Sequence, residues 1–354
     1  MTIATLPGIE PHDPARRRRT LLVGLVVLVI LAALAAAAAG AMPIAPDHVL
    51  AALLDRIGLA HTSADPVESA VLFTIRLPRL VLGLAVGATL GLSGAALQAL
   101  FRNPLADPGL LGVSSGAACG AVGWIVLGSI APLWLQGRFA MPLCAFASAL
   151  IATALVYLIA RVRAQSDAAT LLLAGIAINA LSSAMLGFLT YLGSDAQLRS
   201  LTFWMMGGLG GVTADEITPA LPILIAASVG ICLHARAFDL LALGESDATH
   251  LGLKVETVRR TTIILVALGV GAAVALTGVI GFVGLAAPHL VRLAGGPHHR
   301  FVLPAAALMG ALLTVSADIV ARLAVMPAEL PIGIVTSALG APFFIWLLQR
   351  KRMV

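Results

Sequence analysis

Residues 76–118 read RLPRLVLGLAVGATLGLSGAALQALFRNPLADPGLLGVSSGAA, and this stretch decides the class of the fold. After Arg79 follows an uncharged run that is long enough to cross a bilayer as a helix, which takes about 20 residues. Small residues recur at every fourth position, at Gly83, Gly87 and Gly91, and this is the pattern through which membrane helices pack closely. A polar turn with two prolines, RNPLADPG, then leads into a second apolar run. The stretch predicts two membrane helices joined by a tight turn.

The composition extends this interpretation to the whole chain. Of the 354 residues, 60% are hydrophobic and 11% are charged, whereas a soluble domain carries about 25% charged residues. Apolar runs recur along the entire length, which predicts an all-α polytopic membrane protein. The sequence has no nucleotide-binding P-loop, so we expect no ATP hydrolysis by this chain and assign it no catalytic residue. The excess of basic residues indicates membrane topology rather than nucleic-acid binding.

The apolar runs and the charges between them predict ten membrane spans with both termini in the cytoplasm. Residues 1–19 form a cytoplasmic tail that ends in four arginines, and residues 20–354 form one membrane domain of ten helices. This topology places most of the 22 basic residues on the inner side. The predicted spans are 20–41, 78–101, 110–130, 141–159, 168–192, 217–233, 261–280, 282–293, 301–320 and 330–348.

A short internal similarity suggests that the chain contains a repeat. VGATLGLSG at 86–94 is similar to VGAAVALTG at 270–278, and the two segments lie on spans that cross the membrane in opposite directions. The sequence therefore predicts an inverted repeat that relates spans two to five to spans seven to ten. Chance similarity between helices rich in glycine and alanine is the alternative.

Several long motifs resemble those of the permease subunits of ATP-driven importers for iron chelates, heme and vitamin B12. They are RLPR (76–79), QALFRNPLADPGLLG (98–112), WMMGGLGG (204–211), GFVGLAAPHLVR (281–292) and ELPIGIVTSALGAPFFIWLL (329–348). The resemblance implies a type II ABC importer in the bacterial inner membrane. It implies a homodimer with its pore between the copies, two ATPase subunits and a periplasmic binding protein. Residues 102–118 are most similar to heme permeases, so heme is the first expected cargo; a ferric siderophore or cobalamin is the alternative.

Three arginines, Arg76, Arg79 and Arg322, stand at predicted outer ends of helices. The resemblance implies that they dock the acidic lobes of the binding protein, a role in which charge provides steering and register. Two plainer interpretations remain open from the residues alone. The arginines could extend to the membrane interface, or Arg322 could form an i,i+4 pair with Asp318.

The longest polar stretch on the inner side, 234–260, predicts two short helices at 246–251 and 255–260 with a break at Gly252. The resemblance implies that this loop couples the permease to the ATPase, through Glu245, Ala248, Leu251 and Gly252. The plainer alternative is a solvated loop without a partner.

The resemblance also implies a cytoplasmic gate at Ser166, Asp167 and Ala168, between spans four and five. Asp167 departs from the small residues expected in a gate, because two facing carboxylates would repel each other. His289 is interpreted as a packing residue rather than a heme ligand, since a transporter has to release its cargo. We expect this chain to bind no metal or cofactor, with ATP and Mg²⁺ held by the ATPase.

The rival class is an ion-coupled secondary transporter. Such a protein would need ionisable side chains within its spans, and Asp318 is the candidate that the sequence offers.

Overall fold

The computed structural model describes residues 14–56, 58, 65–132, 136–161 and 168–351, and this part of the chain is helical. Its α-helices are α1 (Pro14–Ala38), α2 (Pro46–Arg56), α3 (Pro66–Val71), α4 (Leu77–Leu100), α5 (Val113–Leu127), α6 (Ala140–Arg161), α7 (Ala168–Leu192), α8 (Asp195–Met206), α9 (Ala214–Leu233), α10 (Ala235–Leu241), α11 (Glu245–His250), α12 (Val255–Thr277), α13 (Val283–Gly295), α14 (His299–Leu323) and α15 (Ile332–Lys351).

Eight helical segments of the described residues are long and apolar enough to cross a membrane. They are α1, the continuous α3–α4 segment, α5, α6, α7, α9, α12 and α14. The all-α membrane fold is thus confirmed. The other two predicted spans coincide with α13 and α15. With 13 residues, α13 is about 20 Å long, which is shorter than the bilayer's apolar core. The count of ten spans and the inverted repeat stay predictions.

The first helix begins earlier than expected. The sequence predicts a tail through residue 19, but α1 starts at Pro14 and carries all four arginines in its first turns. The guanidinium of Arg18 donates a hydrogen bond from Nε to the carbonyl oxygen of Gly295, at 3.0 Å. That carbonyl belongs to the last turn of α13, where a cation is favourable. Arg18 of the basic run therefore fastens α1 to α13.

The second span also begins earlier, because α3 runs into α4 through a π-helical turn at Leu72–Arg76. The sequence predicts a start at Pro78, since proline lacks the N–H that a helix interior needs. In the structure the π turn comes directly before this proline and changes the hydrogen-bond register there. The helix therefore continues through Pro78 instead of starting at it.

Helix α4 lies at the centre of the bundle, antiparallel to α14. A methyl group added at Gly87 would lie 2.6 Å from the hydroxyl of Thr314 and closer still to the carbonyl oxygen of Gly310. One at Gly91 would meet the carbonyl oxygen of Ala306. Neither position has room for a side chain, because the backbones touch. The glycine stripe thus faces a helix and not lipid, as its spacing predicts.

Two glycines of α4, Gly83 and Gly94, also approach parts of the fold other than α14. A methyl group at Gly83 would lie 2.9 Å from the side chain of Leu209 and 3.6 Å from Val315. One at Gly94 would meet the backbone of Gly284 in α13. Helix α4 is consequently held by α14 along its length and by α13 near its inner end.

The turn after α4 is built by its own side chains. Asn103 accepts a hydrogen bond at Oδ1 from the backbone N–H of Leu105, at 2.9 Å, and Asp107 accepts one from Gly109, at 2.8 Å. Burial raises the pKa of the Asp107 carboxyl. Gly112 adopts a left-handed conformation, with φ of 76°, and α5 starts at the next residue. The polar turn therefore reverses the chain, as predicted.

Candidate coupling and docking sites

Arg76 lies at the outer end of α4 but is buried, with 6% of its surface exposed. Its guanidinium donates to the carbonyl oxygens of Ala37, at 2.5 Å, and Ala38, at 2.8 Å, and also to that of Met42. The last carbonyls of a helix have no partner within the helix and carry partial negative charge. Arg76 therefore caps the C-terminus of α1.

Arg322 caps the same helix end from α14. It donates to the carbonyl oxygens of Ala36, at 3.1 Å, and Ala39, at 2.9 Å, and 9% of its surface is exposed. Its Nε lies 3.0 Å from Oδ2 of Asp318, so the i,i+4 pair considered from the sequence is present.

Arg79 of α4 completes a charge cluster that consists of Arg76, Arg79, Arg322, Asp318 and Glu329. Its Nη2 lies 2.9 Å from Oδ1 of Asp318, and its Nη1 lies 2.9 Å from Glu329, whose side chain is 48% exposed. Asp318 thus stands between Arg79 and Arg322, with 5% of its side chain exposed.

All three arginines proposed for docking are already engaged within the fold. Arg76 and Arg322 are buried because they satisfy the carbonyl oxygens of α1, and Arg79 is committed to two carboxylates. The docking role itself stays a prediction. Side chains held in this way offer little surface to a partner.

The coupling loop has the predicted break but a different second helix. Helix α11 covers Glu245–His250, and Gly252 follows in the left-handed region, with φ of 86°. The predicted short helix at 255–260 is instead the first part of α12, which continues through the bilayer to Thr277. Helix α11 is therefore separated from the long helix α12 by only the four residues 251–254.

The four predicted coupling residues differ in how much of their surface is exposed. Leu251 is 61% exposed and Glu245 retains 43% of its side-chain surface, while Ala248 is fully buried. A side chain at Gly252 would meet nothing within 4 Å, but its positive φ favours glycine. The surface offered to a partner thus consists of Leu251 and Glu245, with Leu243, which is 60% exposed, beside them.

Arg259 is a member of this site that sequence reasoning missed. It is 5% exposed and lies 2.6 Å from Oε1 of Glu245 and 3.1 Å from Oε2 of Glu256. Glu256 in turn accepts a hydrogen bond from the hydroxyl of Tyr157 in α6, at 2.8 Å. Arg259 therefore fixes α11 to the start of α12. A double arginine beside a break between helices was the available signal.

The inner end contains a second pair that the sequence did not indicate. Asp239 of α10 accepts hydrogen bonds at Oδ1 from the backbone N–H of His299, at 2.8 Å, and pairs with its ring Nδ1, at 2.9 Å. Helix α10 is thereby attached to the first turn of α14. His289 packs edge-on against Phe343, with ring centroids 6.1 Å apart, which agrees with a packing role.

Two of the three predicted gate residues, Ser166 and Asp167, lie outside the described residues. Ala168 is the first residue of α7. The gate stays a prediction.

Comparison with known proteins places these features in a family. The model of the FecCD transport family matches residues 25–350. The chain is 44% identical over 294 residues to the hemin transport system permease protein HmuU of Yersinia pestis, covering 83% of this chain and 87% of the relative. It is 45% identical over 285 residues to the vitamin B12 import system permease protein BtuC of Klebsiella pneumoniae, covering 79% and 83%.

A solved structure has the same fold. It is titled as an inward-facing conformation of a metal-chelate type ABC transporter, and the two chains superpose with a TM-score of 0.82 at 31% identity. The match covers 94% of this chain and 99% of the other.

Proposed function

Since this chain belongs to the FecCD transport family and is the permease subunit of an ABC importer, we propose that it carries heme across the inner membrane. The multi-pass permease hydrolyses no ATP, because that reaction belongs to a separate subunit of these transporters. The rival assignment to an ion-coupled transporter is thereby wrong. Asp318, the ionisable residue that it would have used, is committed to Arg79 and Arg322.

The choice of heme rests on the motif at 102–118, which most resembles heme permeases, and the similarity to HmuU over 83% of this chain is consistent with it. The vitamin B12 permeases are equally similar in overall identity. Porphyrin and corrin are both metal-bearing macrocycles, so the two kinds of relative support the same chemical class of cargo. Cobalamin is therefore the second candidate, ahead of a ferric siderophore.

The working complex that we propose contains two copies of this chain with the path between them, two ATPase subunits and a periplasmic binding protein. Both termini lie in the cytoplasm. Leu251 and Glu245 contact the ATPase, and Arg259 passes movement of α11 to α12. The support for this step is the pair of contacts from buried Arg259 to Glu245 and Glu256.

The test is uptake by the complex reconstituted in liposomes with its ATPase and binding protein. We expect heme to accumulate when ATP is present, with uptake unchanged by an ionophore that collapses ion gradients. Cyanocobalamin and a ferric siderophore, each presented under the same conditions, are the matched cargoes. ATP-driven uptake of cobalamin without uptake of heme would overturn the cargo and retain the transporter class.

A further inference from the structure

A cleft of 490 Å³ opens at the end of the bundle where α4 finishes, between α10 and the turn that joins α13 to α14. Its polar lining comprises Gln98, Arg102, Asp239, Arg292, His298 and His299. The docking, coupling and gating roles considered above use none of these side chains. The cleft lies on the predicted cytoplasmic side, beside the segment that leads into α11.

Gln98 is the residue that points to a ligand. It is 4% exposed, and its Oε1 accepts a hydrogen bond from Nη1 of Arg292. Because arginine has only donors, the amide oxygen has to face Arg292, and the amide nitrogen faces the other way. In the described part of the chain this nitrogen has no hydrogen-bond partner, although it is buried. A buried donor left unmet is costly, so the site is incomplete without an acceptor.

The charges around Gln98 indicate that the missing acceptor is an anion. Arg292 forms no ion pair with any described residue, and Arg102 adds a second guanidinium from a left-handed position, with φ of 47°. Asp239 is the acid in the cleft, and its Oδ1 is taken by the backbone and ring of His299. Donors and positive charges therefore exceed the acceptors available to them.

We propose that this cleft binds a phosphate-type oxyanion, whose oxygens accept hydrogen bonds from Nε2 of Gln98 and from the guanidinium of Arg292. Arginine suits such a group because its planar fork matches two oxygens at once. The anion would supply the missing acceptor and neutralise Arg292 in one step. The phosphate comes either from a small cytoplasmic solute or from the headgroup of an anionic lipid, and both present the same chemistry.

The cleft also adjoins the coupling segment. Nη1 of Arg102 lies 3.7 Å from the point where a side chain on Gly244 would begin. Gly244 directly precedes α11. A bound oxyanion would thus stiffen the region from which α11 starts.

The test measures binding of radiolabelled inorganic phosphate to the purified full-length chain in detergent, at constant ionic strength. It compares the parent protein with Gln98→Glu, Arg292→Gln and Arg300→Gln. Gln98→Glu keeps the shape and the contact with Arg292, removes the amide donors and supplies an internal negative charge in place of the anion. Arg300→Gln removes the same charge as Arg292→Gln from an exposed neighbour outside the cleft. Melting curves of all four proteins show whether they are folded.

We expect saturable binding by the parent and by Arg300→Gln, with affinity reduced at least about tenfold in the other two, since a hydrogen bond to a charged group is worth that much. Competition by phosphatidylglycerol added to the micelles would identify a lipid headgroup as the source. Equal binding by all four proteins, or a rise in melting temperature in all four without saturation, would be a general salt effect and would overturn the site. So would the lack of binding of both phosphate and phosphatidylglycerol by the parent, because the cleft then holds water. No ATPase is needed, so failure here leaves the transport proposal untouched.

Discussion

Arg76 and Arg322 place their charges at the C-terminal carbonyl oxygens of α1, which lack partners within the helix. Helix α1 finishes in a run of alanines and has no basic residue in its last turn, so the cation has to come from elsewhere in the fold. At the level of single residues, the first role of these arginines is thus to hold α1 in place. A substitution of either one should weaken the attachment of α1.

Arg322→Leu should lower the stability of the detergent-solubilised protein by about 3 kcal/mol, because it breaks a buried charge network and exposes two carbonyls to an apolar neighbour. The measurement is thermal unfolding. Arg138→Leu is the matched control, since Arg138 pairs with Asp215 at an exposed position, where an ion pair contributes about 0–1 kcal/mol. Equal melting temperatures for the two variants would show that the cap of α1 contributes nothing.

Glu245→Gln should reduce ATP-driven uptake while leaving the melting temperature almost unchanged. The charge of Glu245 orients α11 through Arg259, but Arg259 keeps its contact with Glu256 when that charge is removed. Glu245→Arg is a poorer test, because it would place a second guanidinium group next to that of Arg259. Uptake assays in liposomes measure the effect, and Asp247→Asn, an exposed acid on the same helix, is the control. Uptake that falls equally in both variants would argue against a role for the contact between Glu245 and Arg259.

At the level of elements, α4 and α14 adhere through backbone contact, which explains the spacing of the glycines. Little hydrophobic force drives helices together in lipid, so close packing has to supply the attraction. Glycine costs about 1 kcal/mol of helix propensity relative to alanine, and the contact with α14 offsets that cost. Val86, one residue from Gly87, is fully buried, so the packed surface of α4 is wider than the glycine stripe alone.

Gly87→Leu should force α4 and α14 apart and lower the melting temperature of the solubilised protein by several degrees. The reason is that the added side chain would overlap the backbone at Gly310 and Ala311, and neither can move without shifting α14. Val81→Leu, at an exposed position of the same helix, is the control and should melt like the parent. A Gly87→Leu protein that melts like the parent and transports normally would contradict the packing of α4 on α14.

The short helices α2 and α3 are joined by a pH-sensitive contact on the outer side. Nδ1 of His48 lies 2.9 Å from Oε2 of Glu68, and the hydrogen bond to this carboxylate raises the pKa of His48 above its usual 6.5. A raised pKa means that the contact stabilises the fold fully at pH values below 6.5 and loses its effect as pH rises through the raised value.

Hydrogen exchange in α2 should therefore be slower in the parent than in His48→Gln below pH 6.5, with the difference vanishing at high pH. Comparison with the variant at each pH removes the intrinsic pH dependence of exchange. A difference between the two proteins that stays constant across the range would show that His48 acts by packing alone.

At the level of the whole molecule, the predicted outer end of the bundle holds three arginines, Arg76, Arg79 and Arg322, against two carboxylates, Asp318 and Glu329. The cluster keeps a net positive charge although its arginines are hydrogen-bonded or paired within the fold. Such a surplus can steer the acidic lobes expected of a binding protein without touching them.

Glu329→Gln should consequently tighten the docking of the binding protein, because it enlarges the surplus at an exposed position. Arg79→Gln should weaken docking by a similar factor. Both effects should fade as salt rises, since charges are screened beyond about 10 Å at 0.1 M ionic strength. Affinity measurements at low and high salt test this, with melting curves to show that Arg79→Gln is folded. Unchanged affinity of both variants for the binding protein at low salt would show that the charge cluster has only a structural role.

The sequence by itself determined the features that depend on local pattern. Long apolar runs specify membrane helices, the RNPLADPG turn specifies the reversal between α4 and α5, and Gly252 specifies the break after α11. The spacing of Gly83, Gly87 and Gly91 specifies a packed face, because residues four apart share one side of a helix. The long motifs specified the family.

Only the tertiary structure decided which partners those elements meet. Arg76 and Arg322 looked available for docking because sequence shows the charge but not the carbonyl oxygens of α1, which lie far away along the chain. Arg259 and Gln98 gave little signal for the same reason, since their partners are brought to them by packing of helices distant in sequence. Local spacing fixes the face on which a side chain stands, whereas the fold fixes which polar groups remain without water and need a partner there.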